Sequence, residues 1–322
     1  MTHQTPNSPK IPIRLELPTG TGFGPVNAYL FPGPEPVLVD TGLKSEPCWS
    51  ALLDGLARHN LTPADLHRVV ITHPHVDHCG LANRLTAHSP ADIWIADLGR
   101  PWLVNLPDRL LQRVEYYRRD LLPRWHFPPD LSRPILNQLA AVARACEAVP
   151  PERIRVFHPG DRLELGGQAW QVLHAPGHAW AQTCFYQPHS RQLLSADMLL
   201  ARAPAPVLDR PGDAPHDRPA LAYFLDSLAQ VEQLDVDRVY PGHGPPFGDH
   251  RQVIQRQRAR LEQRLSECLA LVRAGHTTVP ALLTRMYPGP PHLAGLWMLN
   301  GYLQLLAFRG LVREQDGRFQ PV

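Results

Sequence analysis

A short apolar run, Arg68-Val-Val-Ile-Thr72, leads straight into His73-Pro-His75-Val-Asp77-His78. The run reads as a buried strand, so the three histidines and the aspartate must fan out from a turn at its end. Crowded polar side chains of this kind need a partner for every ring nitrogen and for the carboxylate. A divalent cation serves them all at once. The spacing differs from the helical pattern in which two histidines sit one turn apart. A layered, strand-based fold is therefore the frame for this segment.

Three further fragments place a histidine or aspartate just past a predicted strand. Ala175-Pro-Gly-His178 follows a strand at 169–173, and Ser195-Ala-Asp197 follows one at 192–194. Tyr240-Pro-Gly-His243-Gly-Pro245 follows a last one at 238–240. Ligands of layered α/β proteins converge at strand ends. The candidate site is thus His73, His75, Asp77, His78, His178, Asp197 and His243. Cys79 is read as a small buried filler rather than an extra ligand.

The remaining pattern is α/β in rhythm. Strands are expected at 11–17, 26–31, 37–40 and 91–96, with helices at 45–59 and 80–88. Residues 97–149 break the rhythm with a helical stripe (Leu103, Leu106, Leu110, Val114, Tyr117) and a second helix at 135–149. Short strands return from 153, followed by a helix at 220–234. After Gly248 the composition shifts to helices at 250–273, 278–287 and 292–309 and a hairpin at 310–319.

In this order, the motifs resemble the metallo-β-lactamase superfamily from about residue 11 to 250. The likeness includes Val39-Asp40-Thr41-Gly42, a turn that in that family supports the metal loop. The tail resembles the winged-helix appendage of the lactamase-like-β hydrolases at His250-Arg251, Thr278–Tyr287 and Leu303–Val312. Glyoxalase II is a more distant neighbour. The resemblance implies an α/β fold: an αββα sandwich with a helical insertion and a C-terminal winged-helix-like domain. The expected organisation is a disordered 1–10, a hydrolase domain at 11–249 carrying the insertion at 97–149, and an appendage at 250–322. It further implies that His73, His75 and His178 hold one metal, that Asp77, His78 and His243 hold a second, and that Asp197 bridges them.

Imidazole and carboxylate donors without thiolate suit zinc, with manganese or iron as alternatives. The implied cofactors are two divalent metal ions. The chemistry is attack by a metal-bridging hydroxide, with Asp77 orienting it as the catalytic residue and metal neutralising the developing oxyanion. The leading expectation is a hydrolase of a small ester or thioester. The alternative is a ribonuclease or phosphodiesterase, motivated by the tail and by Arg256, Arg260 and Arg264 at helical spacing. Against it, only 46 positions separate Asp197 from His243, so the long insertion of the nucleic-acid-cleaving β-CASP branch is missing. A purely structural metal site would be closed, whereas this donor set leaves room for water and substrate.

Composition narrows the partners. Lys and Arg total 32 against 30 Asp and Glu, a net charge of +2, which excludes a strongly basic nucleic-acid arm. Five scattered cysteines form no disulfide framework and point to the cytoplasm. No apolar run reaches the ~18 residues of a membrane span, and the polar start is not a signal peptide. A small-molecule ester or thioester is the expected partner, with RNA as the alternative and no membrane. A homodimer through Leu296, Trp297 and Leu299 remains open, since the same residues suit a core. Trp102, Tyr116, Tyr117, Trp125, His126 and Trp180 either wall a substrate pocket or knit the helices together. Of 17 histidines, five are assigned to metal; His126 and His250 are the remaining two of interest.

Overall fold

The computed structural model describes residues 11–20, 24–202, 212–215, 217–289 and 292–322. The expected disorder of residues 1–10 lies outside them. One sheet runs in the order β1 (Ile13–Leu17), β2 (Val26–Phe31), β3 (Val37–Val39), β4 (Arg68–Ile71), β5 (Asp92–Ala96) and β6 (Ile154–Phe157). Its first three strands are antiparallel, and β3 to β6 are parallel. The second sheet holds β7 (Arg162–Leu165), β8 (Gln168–His174), β9 (Thr183–Gln187), β10 (Gln192–Ala196) and β11 (Arg238–Pro241), with β11 parallel to β10.

The sheets face each other across a layer of large side chains. Tyr29, Phe31, Val39, Val70 and Phe157 meet Trp170, Val172, Phe185, Leu194 and Tyr240. Phe31 and Trp170 pack edge to face at 5.6 Å. Strands such as β2, β9 and β10 are buried along their whole length, because helices cover their outer faces. Outside the first sheet lie α1 (Glu46–Ala57), α2 (Val76–Cys79), α3 (Ala82–His88) and α4 (Arg100–Val104). Ser45 starts α1 by accepting a hydrogen bond from the Cys48 backbone N–H at 3.3 Å.

The insertion continues as α5 (Leu106–Tyr116), a π-helical turn, α6 (Leu122–Arg124) and α7 (Pro129–Ala145). Here the structure departs from the expected helix at 135–149. The helix begins at Pro129, where a fixed φ suits a first turn, and it continues through Pro134. It ends at Cys146 in extended backbone, whose N–H still closes the last turn onto the Val142 and Ala143 carbonyls.

Outside the second sheet lie α8 (Ala220–Glu232), α9 (His250–Arg273), α10 (Val279–Met286) and α11 (Leu293–Phe308), then the hairpin β12 (Val312–Gln315) and β13 (Arg318–Pro321). The layers thus run helix, sheet, sheet, helix. One apolar cluster joins Tyr117 and Trp125 of the insertion, Leu221 and Leu228 of α8, Leu265 of α9, Leu299 and Leu303 of α11, and Phe319 of the hairpin. Leu296 and Leu299 belong to that core and are withdrawn from any surface contact between copies. Among the described residues no helix is long and apolar enough to cross a membrane.

Candidate metal centre

All seven side chains singled out in the sequence meet at one edge of the sandwich. Among the described residues, the metal-ligating groups with donor atoms within 4.8 Å of one another are His73–His75–His178, His73–His78–Asp197 and Asp77–His78–His243. His75 Nδ1 lies 3.0 Å from His73 Nε2 and 2.8 Å from His178 Nε2. His243 Nε2 is 3.3 Å from Asp77 Oδ2. Asp197 stands between the two groups: Oδ1 is 3.4 Å from His78 Nε2, and Oδ2 is 3.5 Å from His178 Nε2 and 3.6 Å from His243 Nε2. Donor atoms about 2 Å from a shared cation lie roughly 2.9–3.4 Å apart. The observed spacings match that shell to within a few tenths of an ångström.

Donor chemistry agrees with geometry. His78 Nε2 and Asp197 Oδ1 are buried and make no hydrogen bond within the protein. Orphaned polar atoms are costly in an interior unless an ion or ligand meets them. His73, His78 and Asp197 are buried, whereas His75, Asp77, His178 and His243 are partly exposed. The cluster therefore opens to solvent on one side, as a site that admits substrate must.

Surrounding groups hold the rings in place. Asp40 accepts from His78 Nδ1 at 2.8 Å, from the Thr72 backbone N–H at 2.8 Å and from the Thr72 hydroxyl at 2.9 Å. The proton on His78 Nδ1 leaves the Nε2 lone pair facing the cluster. His243 Nδ1 donates to the Pro25 carbonyl at 2.8 Å with the same effect. The His243 turn is braced in turn by β2. Asn27 Nδ2 donates to the carbonyls of Pro241 and Gly244 at 2.8 and 2.7 Å, and the Tyr29 hydroxyl donates to Pro241 at 2.7 Å.

Backbone geometry explains how the chain delivers these groups. Register slips between Leu194 and Ala196, and Ala196 takes a left-handed φ of 43°. This bulge re-aims Asp197 out of the strand and into the cluster. Gly242 is required by close approach, because a Cβ there would lie 2.1 Å from Asp197 Oδ1.

Charge is divided unequally over the cluster. Burial, reinforced by neighbouring imidazoles, holds His73 well below the usual histidine range; burial and His178 do the same for His75. His78 is pushed the other way: burial opposes its charge, but the Asp197, Asp40 and Asp77 carboxylates outweigh it. For Asp77, burial is likewise overcome, by His78 and His243, and its pKa falls to about 2. His73 and His75 are thus held neutral, whereas the carboxylates, against burial, favour a proton on His78 and, through Asp77 and Asp197, on His243; a bound cation would take the place of those protons.

The sequence matches the metallo-beta-lactamase superfamily over residues 21–243. The chain belongs to that superfamily. Probable metallo-hydrolase YqjP of Bacillus subtilis (strain 168) is 26% identical over 277 residues, covering 86% of this chain and 85% of that one. The crystal structure of the metallo-beta-lactamase family protein TTHA1429 from Thermus thermophilus superposes with a TM-score of 0.81 at 25% identity, over 97% of this chain and 98% of that one. Atrochrysone carboxyl ACP thioesterase of Aspergillus fumigatus is 22% identical over 153 residues, 46% of this chain and 45% of that one. The family makes this chain a metallo-hydrolase, and its members typically hold two divalent metals, for which the His/Asp cluster is the place.

Beside His178 lies a cavity of about 420 Å3. Tyr116 and Trp125 from the insertion line it, as does Trp180, and α11 and the hairpin close its far side. Sequence reasoning leaves these aromatics open between pocket and packing. Tyr117 proves to be core, and His126 turns away to bond the Asp316 carbonyl at 2.9 Å. Cys79 packs in the apolar cluster under the first sheet. Arg264 of the predicted basic stripe is engaged with Glu267, the Met286 carbonyl and the Tyr287 ring. His250 is buried at the start of α9. Sequence reasoning misses Arg113, which lines a narrow cleft with His75, Trp180 and Asp213 and stacks on Trp102 at 4.4 Å. Arginine on the polar flank of a helical stripe carries no sequence signal of its own.

Proposed function

We propose that the protein is a dinuclear metal-dependent hydrolase of small esters or thioesters. His73, His75 and His178 would hold one cation, Asp77, His78 and His243 the second, and Asp197 would bridge them. The observation that carries this reading is the placing of the Asp197 carboxylate within 3.4–3.6 Å of His78, His178 and His243 at once. Zinc is the preferred metal, with manganese or iron as alternatives for this nitrogen and oxygen donor set. Such a pair supplies water activation at neutral pH and neutralises negative charge at the scissile carbonyl.

The chain's own residues do the rest. Asp77, ionised and partly exposed, accepts a hydrogen bond from the attacking water and so orients it toward the substrate. His78 is kept in one tautomer by Asp40, and His243 by the Pro25 carbonyl, so neither ring must reorganise during turnover. Hydrolysis forms one C–O bond and breaks the C–S or C–O bond to the leaving group, giving a carboxylate and a thiol or alcohol. The activity for which the Aspergillus fumigatus relative is named, that of a thioesterase, supports this substrate class. Residues 11–249 would form the hydrolase domain, with 250–322 as a winged-helix-like appendage, acting on a small-molecule substrate in the cytoplasm.

The test is an assay of metal-loaded protein against thioesters, aryl esters, a bis-aryl phosphate and single-stranded RNA. Ester or thioester turnover that falls at least ~100-fold in Asp77→Ala is expected, given the worth of one positioned general base. Turnover confined to RNA and phosphodiesters would overturn the substrate class, and an unchanged Asp77→Ala would overturn the role of Asp77.

A further inference from the structure

We infer that the cavity beside His178 is an acyl-binding pocket and that it selects an uncharged, ring-bearing acyl group. The inference rests on the ester or thioester reading above and names its substrate class more closely. Six aromatic side chains line the cavity: Tyr116, Trp125, Trp180, Tyr223, Phe308 and Phe319. They come from stretches far apart in sequence, namely the insertion, the His178 turn, α8, the end of α11 and the last strand. Trp180 and Tyr223 stand edge to face with centroids 5.3 Å apart. Rings prefer such offset or perpendicular neighbours, so a third ring entering the cavity finds edges and faces already set. Phe308 closes α11 at the cavity wall and is 55% exposed, and it becomes buried when an apolar group enters.

Charge on the wall excludes most competitors. Arg124 is paired with Glu314 at 2.8 Å, and Arg218 with Asp226 at 2.8 Å. The Tyr223 hydroxyl donates to Asp217 at 2.8 Å. Each arginine of the described wall is already met by a carboxylate. The paired carboxylates and Asp217 offset the charge of the two arginines, so a phosphate or carboxylate on the acyl group gains little net attraction and meets Glu314 and Asp217 as like charges, whereas a neutral ring meets no such repulsion. His178, a member of the metal cluster, also lines the cavity. A group held there therefore has its carbonyl end beside the cluster.

The test uses the full chain loaded with zinc and a matched set of N-acetylcysteamine thioesters: acetyl, octanoyl, succinyl and 2-naphthylacetyl. Because all four share one thiol, kcat/KM ranks the acyl group alone. Expected is a naphthylacetyl value at least ~10-fold above the others, a discrimination that a good apolar pocket achieves. Ala307→Trp, on the exposed last turn of α11 at the cavity wall, should shrink the naphthylacetyl to acetyl ratio to within about threefold. Preference for succinyl or octanoyl, equal rates for all four, or a ratio unmoved by Ala307→Trp would overturn the inference.

A second measurement separates this inference from the reading beneath it. Binding of 2-acetonaphthone, a neutral ketone with no bond to hydrolyse, is followed by calorimetry in the wild type and in Ala307→Trp. If no ester or thioester is cleaved, the proposed activity fails. The pocket is then judged by calorimetry alone. Binding weakened by Ala307→Trp sustains it, and absent or unaffected binding overturns it.

Discussion

Asp40 offers a sharp test of how the centre is held together, because it touches the cluster without belonging to it. It is buried, and its carboxylate accepts from His78 Nδ1 and from both the backbone and the hydroxyl of Thr72. In Asp40→Asn one oxygen still accepts the Thr72 N–H. The new amide NH2 then stands where Oδ2 was, facing the Thr72 hydroxyl and His78. The hydroxyl can turn and accept. The His78 Nδ1 proton cannot. Relief comes by moving it to Nε2, which removes the lone pair that faces the second metal position. Hydrogen bonds to charged groups are worth roughly 1.5–3 kcal/mol, so metal-free protein should lose about that much stability. Loss of an outer partner typically costs about 10–100-fold in metal affinity, equivalent to roughly 1.4–2.8 kcal/mol. The loss should fall on the Asp77–His78–His243 position and spare His73–His75–His178. Zinc titration of metal-free protein against a competing chelator, fitted to two sites, reads both affinities. Equal weakening of both sites, or no weakening of either, would refute the tautomer argument.

Three further outcomes follow from the same geometry. Gly242→Ala drives a methyl against Asp197 Oδ1; hydrolysis should fall by about 10–100-fold, and equal rates in the two proteins would show that Asp197 can shift freely. Cys79→Ala should leave metal stoichiometry at two and cost about 1 kcal/mol in urea unfolding through a small cavity; a loss of bound metal would restore Cys79 as a ligand. Stripping metal with a chelator should lower the melting temperature reversibly, because cations present at about 100 times their Kd stabilise by roughly 2.7 kcal/mol. An unchanged melting curve would mean that the cluster gains nothing from metal.

Much of the fold was legible because its signals are local. The bounds of β2 and α9 follow directly from their flanks and periodicity. Histidines placed after a strand, in a turn fixed by proline, also announce themselves without any knowledge of the partner strand. The insertion was harder. The helix expected at 135–149 begins instead at Pro129 and runs through Pro134, on an element that packs against α5, a contact no local pattern announces.

By itself, the sequence determined that seven ligand-type side chains stand at strand ends in an α/β chain of the metallo-β-lactamase kind. Tertiary structure alone decided what surrounds them. Asp40 reaches His78 across 38 residues, and Asn27 reaches Pro241 across 214. The aromatic cavity unites an insertion with a C-terminal helix and hairpin nearly two hundred residues away. The physical reason is that periodicity and turn chemistry act over a few residues. Convergence depends on how two twisted sheets pack, and that is settled by side chains distributed over the whole chain.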